Sequence, residues 1–264
     1  MPFPEKLKGS SHRERRSLAR LARVINLDRS ADRLAAIGAR LDAAEIPWQR
    51  QRSTAPVSVH AAHAHHLYRG TRARTLFGRD LSLGEIGCCL SHVEILRAEV
   101  EHGDPLALVL EDDALPTPDA VAFLRALSAW LLTQGGSNVS VLHVSRSIDK
   151  WSRPLATVAG NEVIRTYRPP LICSAILWTR SGMTTLLARI ALLGMDRPVD
   201  DAVRACFCRA GAAAALRQPL FAEHGFSSTI NNAMHCPSGL TKVARMRWKV
   251  SDYGAALFNL RRGR

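Results

Sequence analysis

Residues 105–116 read PLALVLEDDALP. The run from Pro105 to Leu110 is continuously apolar, the pattern of a strand covered on both faces, as in sheets flanked by two layers of helix. It ends abruptly in Glu111, Asp112 and Asp113, with Pro116 and Pro118 just beyond. Ionised carboxylates at this spacing repel one another, and burial adds to the cost of keeping them charged. A divalent cation relieves both problems. If the strand geometry continues, Glu111 and Asp113 point to one side, because side chains alternate along a strand. Two oxygen ligands with open positions around them suit Mg²⁺ or Mn²⁺ shared with a substrate diphosphate. The alternative is a solvated acidic turn with no ligand.

On the N-terminal side, Ser82-x-x-Glu85 is a capping-box pattern that starts a helix running to about residue 101, with Gly103 as its stop. Glu85 and His92 are seven apart and share a face, with Cys88 and Cys89 between them. Gly84 and Gly87 lower helix propensity in its first turns, which is tolerable where another backbone or a ligand comes close. Glu85 read alone is a capping residue, and His92 read alone is a core histidine. Earlier still, residues 21–27 (LARVINL) form a short apolar strand, and Asp28 and Ser30 offer capping chemistry for a helix over 31–44. The segment 50–79 is poor in pattern and rich in His and Arg, and reads as a long loop or insertion. Its histidines His60, His63, His65 and His66 lack an accompanying carboxylate or cysteine pair and read as a polar loop.

On the C-terminal side a helix is expected over 118–132, a strand near 139–144 and another over 171–178. A helix follows over 182–193, Pro198 opens the next, and 202–216 reads as helical. Strands alternating with helices argue an α/β fold. The chain divides into a basic leader (1–20), the α/β domain (21–236) and a basic amphipathic tail (237–264).

The chain has 264 residues, 47% of them apolar, enough for one α/β domain with a sizeable core. No apolar run approaches the roughly 20 residues needed to span a bilayer, and the basic start lacks the apolar centre of a secretory signal. The pattern reads as a soluble, cytoplasmic protein. Six cysteines, with no CxxC pair, read as small buried residues of a reducing compartment. The net charge is +13, and most of it sits at the ends. The first 23 residues carry seven bases against Glu5 and Glu14, and the last 23 carry seven against Asp252. Basic ends on a nearly neutral middle fit attraction to an anionic membrane surface, such as the inner face of the cytoplasmic membrane, or simple solubility. A nucleic-acid enzyme would spread bases along an interior groove, so no nucleic-acid partner is expected. Met246, Trp248, Tyr253, Leu257 and Phe258 between the tail's charges suit either a lipid interface or a helix packed on its own domain.

VINLDRSADR (24–33), LSLGEIGCCLSH (81–92) and ALVLEDDALP (107–116), in that order, resemble glycosyltransferase family 25. That family includes bacterial lipooligosaccharide galactosyltransferases and collagen galactosyltransferases. Weaker matches continue through WTRSGMTTLL (178–187) and RPVDDAV (197–203), so the resemblance covers roughly residues 22–230. It implies a GT-A-like fold, a central mostly parallel, mixed sheet flanked by helices, with Glu111 and Asp113 as the metal-binding acids. It implies a UDP-sugar donor, often UDP-galactose, a glycan or glycolipid acceptor, and inversion at the anomeric carbon. Inversion needs a general base on the acceptor hydroxyl. By the resemblance that base is Asp200, with Asp201 as the adjacent candidate. Asn26, Arg33, Glu85, His92 and Asp112 are carried over as donor-site residues, and His224 as a third metal ligand. Two departures stand out: RSTAPV at 52–57, where the family commonly reads Ala-x-Asp-Gly, and Met183 in place of an alanine. A catalytically inactive relative that binds a nucleotide sugar is the competing expectation.

Overall fold

The two-sided burial expected of β3 (Leu106–Glu111) is realised residue by residue in the computed structural model, which describes residues 22–133, 136–148, 150–223 and 239–262. Leu106, Leu108 and Leu110 enter one apolar core, and Ala107 and Val109 enter the other. The first core is closed by α1 (Ala31–Ala43) and α4 (Ala120–Leu131), through Ile37, Leu41, Leu124 and Leu127. The second is closed by α3 (Leu83–His102), α5 (Arg180–Leu193) and α6 (Val199–Ala210), where Trp178 meets the edge of Phe207 at 5.8 Å.

The remaining strands are β1 (Ala22–Asn26), β2 (Trp48–Arg52), β4 (Ala114–Pro116), β5 (Val141–His143), β6 (Ser152–Val158), β7 (Asn161–Thr166), β8 (Ala175–Thr179), β9 (Ala213–Leu216) and β10 (Phe221–Glu223). Among the described residues they build an eight-stranded sheet in the order β2-β1-β3-β8-β5-β9-β7-β6 and a small β10-β4 ribbon. Strands β2, β1, β3, β5, β9 and β6 run one way, and β7 and β8 the other. The expected architecture, a mostly parallel but mixed sheet between helices, is therefore present.

The capping box of α3 forms in full: the Ser82 hydroxyl accepts the Glu85 amide, and the Glu85 carboxylate accepts the Ser82 amide. Gly103, at φ 82°, stops the helix. Gly87 is required for a different reason. A Cβ there would lie 2.4 Å from the Thr54 carbonyl oxygen, so the glycine admits the chain that leaves β2.

Three expectations are corrected. Segment 50–79 is no featureless loop: it begins inside β2, an edge strand parallel to β1, and continues into α2 (Val59–Ala64) and a helical turn over Gly70–Arg72 and Ala73–Phe77. The strand reads WQRQR because an edge strand over solvent needs no apolar alternation. The helix expected over 202–216 ends at Ala210, where Gly211 turns at φ 62°, and Ala213–Leu216 is a fully buried strand between β5 and β7. Alanine's helix preference, at most about 0.7 kcal/mol per residue over ordinary residues, yields to burial in the sheet. Finally, Ser30 occupies the N-cap position of α1 without a side-chain bond, and Asp28 pairs instead with Arg50 (2.7 Å) and Arg52.

Among the described residues no helix is long and apolar enough to cross a membrane. The C-terminal helix α7 (Gly239–Arg262) packs on α6 and on the turn at 73–77. Its Asn259 amide donates to the carbonyls of Cys208 (2.8 Å) and Arg209 (3.1 Å), satisfying groups that the end of α6 leaves open. The leader 1–20, Cys236 and His224 lie outside the described residues, as does the side chain of Trp248. The five described cysteines are free thiols.

Candidate active site

The alternation that buries β3 also sorts its acids. Glu111 follows Ala107 and Val109 and faces α3. Its Oε1 lies 3.8 Å from Cys88 Sγ and 3.9 Å from His92 Nε2. Asp112 follows Leu108 and Leu110 and faces α1. Its Oδ2 accepts a hydrogen bond from Asn26 Nδ2 at 2.7 Å, and its Oδ1 pairs with Arg33 at 2.5 Å. The strand ends at Glu111, and the chain turns through 112–113 into β4, which pairs with a different sheet. Strand alternation therefore does not carry through to Asp113, which also lies near Arg33, at 3.5 Å.

The electrostatics of this turn are unfavourable without a further cation. Burial pushes the Asp113 carboxyl up to about 6, the charge of Glu111 adds to it, and Arg33 opposes. Asp113 Oδ1 is buried with no hydrogen-bond partner among the described residues. Asp112 is also raised, by burial first, against the pull of Asn26 and Arg33. An orphaned, buried carboxylate oxygen near two other acids is the chemistry that a hard divalent cation satisfies. The residues present fit one.

Asn26, Arg33 and Asp112 thus come together, with Glu111 and Asp113 beside them. Asp200 and Asp201 stand on the first turn of α6. The Asp200 carboxylate accepts the Asp201 amide at 2.8 Å, and burial followed by the charge of Glu111 raises it. Asp201 is 5% exposed and is pushed up to about 7, by burial and then by Asp200. Glu85 is differently employed. Its carboxylate grips Arg79 through two bonds of 2.6 and 2.7 Å besides capping α3, and these bonds outweigh burial and lower it.

A cavity of about 610 Å³ opens where β1 and β2 end, lined by residues that include Leu27, Asp28, Arg52, Ser53, Thr54 and Glu94. Open α/β sheets bind ligands beyond the carboxyl ends of their strands. The segment at 52–57 that departs from the family pattern forms part of this wall. Thr54 is fixed there by its amide to Ser91 Oγ (2.9 Å) and its hydroxyl to Glu94 (2.7 Å). Sequence reasoning passed over Ser53, Thr54, Arg79 and Cys88. Only for Cys88 was there a local signal, the Cys-x-x-x-His spacing on one helix face.

Acids at the end of a buried strand, the Asn26 and Arg33 that hold Asp112, and two raised carboxylates on α6 make up the candidate site. The chain belongs to glycosyltransferase family 25 (LPS biosynthesis protein), whose sequence pattern matches residues 22–153. It is accordingly a glycosyltransferase. No curated protein matches the chain at a significant level. Among solved structures, the crystal structure of galactosyltransferase LgtC in complex with donor and acceptor sugar analogs aligns over 88% of this chain and 96% of that one, at 10% identity and a TM-score of 0.41.

Proposed function

We propose that the chain transfers a sugar, galactose in the first instance, from a UDP-sugar to a hydroxyl of a lipooligosaccharide or other surface-glycan acceptor, with inversion and with Mn²⁺ or Mg²⁺. The observation that carries this reading is the Asp113 carboxylate beside Glu111, raised by burial and with its Oδ1 lacking a partner among the described residues. Glu111 and Asp113 would hold the ion, which when bound supplies neutralisation of the departing diphosphate. Arg33 reaches the same acids and orients Asp112, while Asn26 locks Asp112 from the β1 side. The cavity beside Ser53 and Thr54 offers room for the nucleoside.

In this reading Asp200 is the base. It is more accessible than Asp201, and its raised proton affinity suits removal of a hydroxyl proton near neutral pH. The acceptor oxygen forms a bond to the anomeric carbon as the bond to the diphosphate breaks, and its proton passes to Asp200. Asp201, buried behind, sets the local charge. The exposed side chains of Met246, Val250, Leu257 and Phe258 on α7, beside Arg261 and Arg262, support peripheral contact with an anionic membrane on the cytoplasmic side.

Calorimetry with UDP tests the reading. UDP should bind only with Mn²⁺ or Mg²⁺ present, and Asp113→Ala should abolish the binding. UDP that binds to the wild type without any metal contradicts it. Metal-dependent binding with no transfer to any acceptor selects the inactive, donor-binding relative instead.

A further inference from the structure

His92 carries no role in the reading above, and its surroundings are unusual. The ring is fully buried, and neither nitrogen has a hydrogen-bond partner among the described residues. A buried polar atom left without a partner is costly, so an imidazole with both nitrogens idle is an expensive core residue. Its Nε2 is aimed at Glu111 Oε1 but stands 3.9 Å away, beyond hydrogen-bond range. One turn earlier on the same helix face, Cys88 Sγ lies 3.8 Å from that same oxygen. The three ligand atoms all lie within 4.8 Å of one another.

These distances have a chemical reading. A tetrahedral zinc ion with bonds of about 2.0–2.3 Å separates its ligand atoms by roughly 3.3–3.8 Å. The sulfur–oxygen contact already stands at the upper edge of that range and the nitrogen–oxygen contact just beyond it, and the third closes with a side-chain adjustment below about 1.5 Å. Cysteine and histidine at i and i+4 present sulfur and nitrogen from one side, and the end of β3 presents oxygen from the other. The donor set is soft and borderline. It differs from the all-oxygen set of the acidic turn, and it favours zinc over magnesium or manganese.

We propose that Cys88, His92 and Glu111 form a second cation site, selective for zinc or a similar thiophilic divalent ion. It shares Glu111 with the magnesium- or manganese-type site and differs from it in its sulfur and nitrogen ligands. Three protein ligands leave a fourth position open for water or a substrate oxygen, as in zinc sites that do more than hold a fold together. The inference goes beyond the proposed function and does not require it, because no nucleotide enters the site.

Cobalt titration of the full chain, without nucleotide, tests it. Co²⁺ should bind with a thiolate-to-cobalt charge-transfer band, and added Zn²⁺ should displace it. The band should vanish in Cys88→Ser, a nearly isosteric change, and should persist in Cys173→Ser and Asp113→Asn. His92→Asn should weaken cobalt binding by more than about tenfold, at least what loss of an outer-sphere partner costs. Far-ultraviolet circular dichroism checks that each variant is folded, and Cys88→Ser keeps the test decisive if His92→Asn is not. A folded wild type that binds cobalt without a thiolate band, or a band that survives Cys88→Ser, overturns the proposal. The outcome is separable from the UDP titration. The cobalt band can appear where UDP fails to bind, and UDP can bind with Mn²⁺ where the band is absent.

Discussion

Replacing Asp201 by asparagine removes a charge that the fold holds against its surroundings. The side chain is buried on the first turn of α6, and its Oδ1 has no hydrogen-bond partner among the described residues. Burial and the neighbouring Asp200 raise its carboxyl from 3.8 to about 7, against the pull of Arg204 and Arg197. Between those two values the folded chain keeps a proton that the unfolded chain has released. Stability therefore falls as pH rises through this window, the opposite of the usual salt-bridged carboxylate. At about 1.36 kcal/mol per unit, the penalty accumulates to about 4 kcal/mol above pH 7 and is absent below pH 4. Asparagine keeps the shape and cannot ionise. Near pH 4.5 the variant should match the wild type or lose a few tenths of a kcal/mol. By pH 8 it should be the more stable protein, by up to about 4 kcal/mol, less the roughly 0.3–1 kcal/mol that a carboxylate gains at a helix N-terminus. Urea unfolding across that pH range, with a chelator present throughout, reads the difference directly. A difference that stays flat with pH, or that favours the wild type increasingly as pH rises, would refute the reasoning.

Gly87→Ala should lower stability by about 1–3 kcal/mol in calorimetric melts, because its Cβ meets the Thr54 carbonyl at 2.4 Å and the wall of the strand-end cavity must shift. A neutral result would mean that the 52–57 segment moves freely. Asn259→Ala should cost about 1–3 kcal/mol by leaving the Cys208 and Arg209 carbonyls short of a donor, measured as a lower urea midpoint at constant slope. For sugar transfer, kcat/KM should rise with pH through an ionisation above the ordinary carboxylate range, and Asp200→Asn should remove that limb; an unchanged profile in the variant would exclude Asp200 as the base. Val250→Glu with Leu257→Glu, both on the exposed side of α7, should weaken binding to anionic vesicles by more than tenfold while leaving the melting point nearly fixed. Unchanged cosedimentation would remove α7 from the membrane reading.

The sequence showed most where a local pattern and the final packing agree. The run 105–110 alternates into two cores, and Ser82 and Glu85 close their capping box without help from the rest of the chain. It showed least where the sheet overrides local preference. Trp48–Arg52 has no apolar alternation because it is an edge, and Ala213–Leu216 looks helical because alanines are chosen there for size between β5 and β7. In the site, the grouping of Asn26, Arg33 and Asp112 follows the family motifs. The turn after Glu111 was not legible, since it depends on Ala114–Pro116 leaving for a separate ribbon with β10. Nor was the grip of Arg79 on Glu85, a contact made from a segment with no periodicity of its own. Cys88 was visible as a small buried residue, and only the approach of Glu111 from β3 gives its sulfur a second meaning.

Helix α6 is held from behind as well as used in front. Its twelve residues span about 18 Å. At the near end stand Asp200 and Asp201. At the far end Asn259 of α7 fastens the last carbonyls, and buried Asp252 adds its charge to the field felt by Asp201. A hydrogen-bonded helix of this length moves as a stiff rod. The C-terminal helix and the first turn of α6 are thus joined through one continuous rod. Removal of the chain from residue 239 onward takes away Asn259 and Asp252, and with them the support behind the helix that carries Asp200 and Asp201.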